Sequence, residues 1–218
     1  MFEAVIFDWD GTLSDTRQVI VASFQKALSE INIDASNEYI ERRIGIGAAE
    51  TFRDTLRSAK TPFDEETIQH LVERKSELEI ELTDQVQLFP GARELLDALH
   101  GKIKMGLASM NNHPVISHLL KTKGLEKYFD AVLAAESISH SKPDPEIFLK
   151  EADLLKAKPE RCVVVEDSVF GVKAAKSAKM SCIAVLTGVY SRPELEKEKP
   201  DLIVGTLEDK RIVSFILQ

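Results

Sequence analysis

The chain has little cysteine, no long uncharged apolar run and no surplus of positive charge, and each shortage removes a class of protein. Its two cysteines, Cys162 and Cys182, each open an apolar run, and no further ligand lies near either. They are expected to be buried free thiols of a reducing compartment, not a disulfide or a metal site. No uncharged apolar stretch reaches the ~18 residues that cross a bilayer. The first residues, MFEAVIFDWDG, carry an acid at Glu3 and lack the basic start and small-residue cleavage site of a secretion signal. A soluble cytoplasmic protein is expected, with no membrane contact, as a monomer or homodimer. The net charge of −8 argues against nucleic acid, because non-specific binding needs Lys and Arg on the phosphates. Small anions remain possible ligands where a metal ion, a lysine or a helix N-terminus offers local positive charge. Internal repeats and low-complexity segments are absent. Of the 218 residues 44% are hydrophobic, enough for a packed core in one domain or one domain with an insertion.

Ala4-Val5-Ile6-Phe7 is a short apolar run ending at Asp8, the pattern of a buried strand. A turn follows at Asp10-Gly11-Thr12. Ile20, Phe24, Ala27, Leu28 and Ile31 then repeat at helical spacing. A second amphipathic helix carries Ile68, Leu71, Val72, Lys75, Leu78 and Leu82, with Asp64 as its expected N-cap. No strand pattern stands out between Asp15 and about Val86. Pro90-Gly91 opens a helix bearing Leu95, Leu96 and Leu99. Beyond it, apolar runs at Ile103–Ala108, Ala131–Ala134, Val163–Val165, Ile183–Leu186 and Leu202–Val204 alternate with helical segments. This alternation predicts an α/β fold, a mainly parallel Rossmann-like sheet with helices on both faces. The all-helical stretch then reads as an insertion. The expected division is a catalytic core of residues 1–14 and 86–218 and a helical cap of residues 15–85. Pro193 to Pro200 reads as a solvated surface stretch.

In open α/β sheets ligands sit at the carboxyl ends of the strands. Four strand ends, or the loops after them, carry polar groups: Asp8-Trp9-Asp10-Gly11-Thr12, Ser109, Ser141-Lys142-Pro143-Asp144-Pro145 and Glu166-Asp167-Ser168. Asp8 and Asp10 flank a tight turn. Such a pair divides two tasks, an ionised nucleophile near a metal and a neighbour pushed toward its protonated form. Glu166 and Asp167 add negative charge to the same edge, and clustered carboxylates repel unless a cation joins them. An all-oxygen set of this kind suits magnesium. Lys142 offers a charge, and Ser109 a hydroxyl, to a phosphoryl group. These are parts for phosphoryl transfer, in which catalysis is mostly positioning and charge stabilisation. Taken singly, Asp10-Gly11 is also an ordinary turn, Lys142-Pro143 a loop and Ser168 a helix cap.

Jointly, DWDGTL, Ser109, SKPDPEIF and EDSVFG resemble the four motifs of the haloacid dehalogenase superfamily, in order and across essentially the whole chain. The resemblance implies that Asp8 becomes an aspartyl phosphate and that Asp10 is general acid, then base. It implies that Thr12 and Ser109 orient the phosphoryl group and that Lys142 binds it and steadies Asp8. Mg2+ would be held by the Asp8 carboxylate, the Asp10 carbonyl and Asp167, with Glu166 behind the ligands. Asn111 and His113 are candidates to touch substrate. His70, His100, His118 and His140 lack a second ligand at metal spacing and are read as surface residues. Trp9 is read as packing, and Phe24, Phe52 and Phe63 as the core of the cap. Dehalogenases of the family lack an equivalent of Asp10. Phosphonoacetaldehyde hydrolases carry Ala there and a cap lysine that 43–49 does not contain. β-Phosphoglucomutases have a histidine where Ile20 stands and basic residues where Ile44 and Ala48 stand. What remains resembles a phosphoglycolate-phosphatase-type hydrolase of a small phosphorylated metabolite. The alternatives are a mutase-like phosphotransferase and a non-enzymatic phosphate or metal sensor.

Overall fold

The protein is described over residues 1–218 by a computed structural model. Its centre is a six-stranded parallel sheet of β1 (Ala4–Phe7), β4 (Lys104–Ala108), β5 (Ala131–Leu133), β6 (Cys162–Glu166), β7 (Ser181–Val185) and β8 (Leu202–Val204). Their spatial order is β5-β4-β1-β6-β7-β8. β1 lies between β4 and β6, with Phe7 level with Leu107 on one side and Val165 on the other. Strands buried on both faces have no reason to alternate apolar with polar residues, which is why AVIF and CVVVE read as unbroken runs. Side chains still alternate between faces. Val5 and Phe7 join one cluster with Leu95, Leu96, Val115, Ile116 and Ile212; Ala4 and Ile6 join another with Ile147, Phe148, Val172 and Ala175. The first face is covered by α5 (Ala92–Leu99), α6 (His113–Lys123) and α10 (Arg211–Ile216), the second by α7 (Glu146–Leu154) and α8 (Val169–Ser177). Cys162 and Cys182 are buried free thiols.

Between β1 and β4 the chain forms α1 (Arg17–Ser29), α2 (Asn37–Glu41), α3 (Ala48–Ser58) and α4 (Glu65–Glu81). These helices bury their apolar stripes in a cluster of their own, including Ile20, Phe24, Leu28, Phe52, Leu56, Ile68 and Leu71. The Phe24 and Phe52 rings lie 4.7 Å apart. Phe63 packs against this cluster from a partly buried position. Asp64 caps α4 by accepting the Thr67 N–H at 2.9 Å. No strand lies within the helical stretch, as expected, but two short ones flank it. Ser14–Asp15 (β2) and Gln87–Leu88 (β3) pair antiparallel, Ser14 with Leu88 and Asp15 with Gln87. Both connections thus run side by side, too short for a period-2 pattern to show.

The stretch from Pro193 to Pro200 is surface, as read, apart from Leu195, but it is not irregular. Residues Arg192–Lys197 form α9, opened by a capping box between Ser191 and Glu194, and α9 buries Leu195. Glu194 reaches across to Arg42 after α2, at 2.5 Å. The Arg42 guanidinium lies 4.3 Å from the centre of the Tyr190 ring, and the Tyr190 hydroxyl donates to the Arg42 carbonyl at 2.6 Å. Of the segment's charges, Glu194 completes both the helix cap and the bridge, while Glu196, Lys197 and Lys199 stay exposed.

Candidate active site

β5, β4, β1 and β6 are consecutive neighbours, so the polar groups after their carboxyl ends converge. Asp8 continues β1, its N–H donating to the Val165 carbonyl at 3.0 Å, and Ser109 continues β4 in the same way toward Leu133. Lys142 comes in on the loop after β5. Its ammonium donates to Asp8 Oδ1 at 2.7 Å and Glu166 Oε1 at 2.8 Å, and it is buried. The loop is held by Glu146, which accepts the Ser139 and His140 N–H groups and pairs with Lys150.

Asp8, Glu166 and Asp167 form a buried group whose carboxylate oxygens lie within 4.8 Å of one another. Burial pushes the Asp8 carboxyl up to about 8; Lys142 opposes the shift, and Glu166 and Asp10 add to it. Burial likewise raises Asp167 well above the usual carboxylate range, with Glu166 and Asp8 adding to it. Burial works against the Lys142 charge, yet Asp8 and Glu166 hold its pKa above the ordinary lysine value. Three carboxylates against one ammonium is an arrangement a divalent cation would relieve, and hard oxygen ligands suit such an ion. Gly11, at φ +85°, permits the close packing here, because a Cβ there would stand 2.4 Å from Asp167 Oδ2.

Glu166 is saturated. Besides Lys142 it accepts the Asp167 N–H, the Ser168 N–H and the Ser168 hydroxyl. Thr12, expected beside the phosphoryl group, is buried and gives its hydroxyl to Asp167 at 3.0 Å. Ser109 donates to Asp10 Oδ2 at 3.4 Å and accepts the Asn111 N–H. Asp10 also accepts from Thr16 at 2.8 Å. Burial, followed by the nearby Glu79 charge, lifts its carboxyl to about 6; Lys75, Thr16 and Ser109 work the other way.

Asn111 is engaged rather than free. Its amide donates to Glu79 at 2.6 Å, and its oxygen accepts from Lys75 at 3.1 Å. Lys75 and Glu79 of α4 are buried and paired with each other. Neither was singled out for chemistry in the sequence. The signal was Lys75 itself, a charge within the apolar series Ile68, Leu71, Val72 and Leu78. His113 is exposed at the first position of α6, where its N–H meets Glu136. His140 is exposed, as read, but it does not lack potential co-ligands: its ring nitrogen lies 2.9 Å from Glu146, with Asp144 close by. The loop folds back onto the start of α7, which sequence spacing does not reveal. Trp9 is fully buried, as expected of packing.

A parallel α/β sheet with two aspartates after its first strand, a lysine facing the first of them and an acidic pair at the adjacent strand end defines a class of phosphate-handling hydrolase. Residues 5–185 match the family model of the haloacid dehalogenase-like hydrolases, and the chain belongs to that family. It is 33% identical to the phosphorylated carbohydrates phosphatase of Thermotoga maritima, over 81% of each chain. It is also 33% identical to β-phosphoglucomutase of Bacillus subtilis, over 85% of this chain and 84% of that one. The crystal structure of a hydrolase from Pseudomonas syringae superposes with a TM-score of 0.90 at 27% identity, covering 99% of this chain and all of that one. No helix is long and apolar enough to cross a membrane.

Proposed function

We propose that this hydrolase is a magnesium-dependent phosphatase that moves the phosphoryl group of a small phosphomonoester first to Asp8 and then to water. The carrying observation is the Lys142 ammonium 2.7 Å from Asp8 Oδ1 at the carboxyl end of the central strand. An Asp8 oxygen attacks phosphorus as the bond to the leaving oxygen breaks, and Asp10 gives that oxygen its proton. Asp10 then takes a proton from water as water attacks the aspartyl phosphate, releasing phosphate and restoring Asp8. Lys142 balances charge on the transferring group and holds Asp8 in line, while Ser109 fixes the Asp10 carboxyl. Thr12 and Glu166 act one step back, by fixing Asp167 and Lys142. Mg2+, held by Asp8, Asp167 and the Asp10 carbonyl, would neutralise the charge of the phosphoryl oxygens.

Residues 15–85 are read as a cap over a core of residues 1–14 and 86–218. Ile20 of this cap lines the cavity beside Asp10, where the mutases of the family have a histidine, and this favours water over a second sugar hydroxyl as acceptor. A mere phosphate or metal sensor would need neither Asp8 as nucleophile nor Asp10 as acid. A screen of phosphorylated metabolites, including 2-phosphoglycolate and sugar phosphates, should release phosphate with Mg2+ and stop with excess chelator. No release from any ester would overturn the phosphatase reading, and full activity in chelator would remove the metal from it.

A further inference from the structure

Two neighbouring cavities, one of them beside Asp10, share a wall, and one side chain stands between them. The inner one, about 30 Å³, is lined by Asp10, Ile20, Phe24, Arg43, Thr51 and Lys75, among others. Asp8 is not part of its wall, so this space lies on the leaving-group side of the reacting phosphorus. The outer one, about 240 Å³, is lined by Arg53, Asn112, Glu136, Ser139 and Ser141, together with Val72 and Ile138. Only Gly47, Ala48 and Met110 line both. Gly47 has no side chain and Ala48 only a methyl, so the substance of the partition is Met110. Its terminal methyl is seated on Gly47: a Cβ added there would lie 2.8 Å from Met110 Cε. Gly47 is held at φ +112°, so a larger residue is disfavoured at that position. Met110 is buried in the closed arrangement, but an unbranched thioether can repack at little cost.

Resting on the phosphatase reading, we infer that Met110 sets the length of the leaving group, restricting the enzyme to phosphate esters of short alcohols that carry a hydroxyl or carboxylate. The inner space is far smaller than the usual small-molecule pocket, which runs from about 300 Å³, so it admits only a short group. Its wall offers the Lys75 ammonium and Arg43, whose buried Nε makes no hydrogen bond and has only Asp54 at 3.9 Å as an ionic neighbour. A short group with a terminal oxygen suits that space and those donors, and a hexose does not. A hexose leaving group must pass Met110 into the outer cavity, whose lining includes the polar side chains of Asn112, Ser139 and Ser141.

The test compares the natural protein with Met110→Ala, which opens the partition, and Met110→Leu, which preserves it. The kcat/KM ratio of 2-phosphoglycolate to glucose 6-phosphate is expected to exceed tenfold in the natural protein. It should fall at least tenfold in Met110→Ala, mainly through faster hexose turnover, and stay within threefold in Met110→Leu. Thermal melts establish that both variants are folded, with Met110→Val replacing the alanine variant if it is not. In the Asp8→Asn background, calorimetry should show glucose 6-phosphate binding more tightly once Met110 is shortened. An unchanged ratio and unchanged hexose affinity would overturn the assignment, as would a natural preference for the hexose ester. Hydrolysis of neither ester by the folded natural protein would instead sink the phosphatase reading, and the binding comparison would still decide the role of Met110.

Discussion

Asp8, Asp10, Glu79, Glu166 and Asp167 are all buried at one edge of the sheet, and each side chain is distinguished by what holds it. Asp10 is the residue whose task separates most cleanly from that of Asp8. A general acid matters in proportion to how badly the leaving group needs a proton. Asp10→Asn keeps the turn and the backbone carbonyl but cannot move a proton. It should slow phosphorylation by an alkyl phosphate by roughly 100–10,000-fold, and that by p-nitrophenyl phosphate far less. Attack of water on the phosphoenzyme should still slow, giving a burst of nitrophenol before a slow steady state. Equal slowing of the burst for both leaving groups would contradict the acid–base role.

Glu151 poses a different problem. It sits on α7 within the core, and neither carboxylate oxygen has a hydrogen-bond partner. Burial pushes its pKa up to about 8. The fold therefore accepts its protonated form: that stability is intact below the ordinary 4.5 and is lost as pH rises through about 8. The loss is at most about 1.4 kcal/mol per pH unit. Glu151→Gln should melt above the natural protein at pH 9 and lose that advantage at pH 5. An equal difference at both pH values would contradict it. Nothing in the sequence marks Glu151, because a glutamate in an amphipathic helix reads as exposed. The site aspartates and Lys142 were legible, since each ends or follows an apolar run. Lys75 and Glu79 were not, because their burial depends on where α4 packs.

Among the elements, the paired connections β2 and β3 and the bridge from Arg42 to Tyr190 and Glu194 join the helical segment to the rest of the chain. The two groups of the ion pair are a third or more exposed, so it contributes modestly, about 0.2–1 kcal/mol. The cation–π contact adds about 0.5–1 kcal/mol. Arg42→Ala should leave the melting temperature nearly unchanged, because the helical cluster around Phe52 and the sheet core are untouched. It should loosen the loop at Gly45 and Gly47 that closes the inner cavity, raising KM up to about tenfold while kcat changes less. Added salt should raise KM of the natural protein in the same direction and affect the variant little. An unchanged KM would mean the bridge does not hold the loop. Helices α1 and α4 were readable from their apolar spacing. Strands of two residues and a charged helix like α9 were not, because their pairing is decided by distant partners.

At the scale of the whole molecule, one alternating sequence pattern makes the sheet and one uninterrupted helical pattern makes the segment above it, and the candidate site lies where they meet. Asp8, Ser109, Lys142 and Asp167 come from widely separated parts of the chain, and the strand order β5-β4-β1-β6 brings them together. Parallel topology made that convergence legible in advance. The cavity's second wall, built from Arg43, Gly47, Thr51 and Lys75, depends on how the helical segment docks, which no periodicity encodes. Covalent transfer through Asp8 is the claim on which the rest depends. It is tested most directly by rapid acid quench of the enzyme with Mg2+ and a substrate labelled in its phosphoryl group. The natural protein should carry acid-stable label on Asp8, formed no slower than steady-state turnover, while folded Asp8→Asn carries none and turns over no substrate. A natural protein that hydrolyses substrate without ever acquiring label, or an Asp8→Asn variant that keeps its activity, would contradict it.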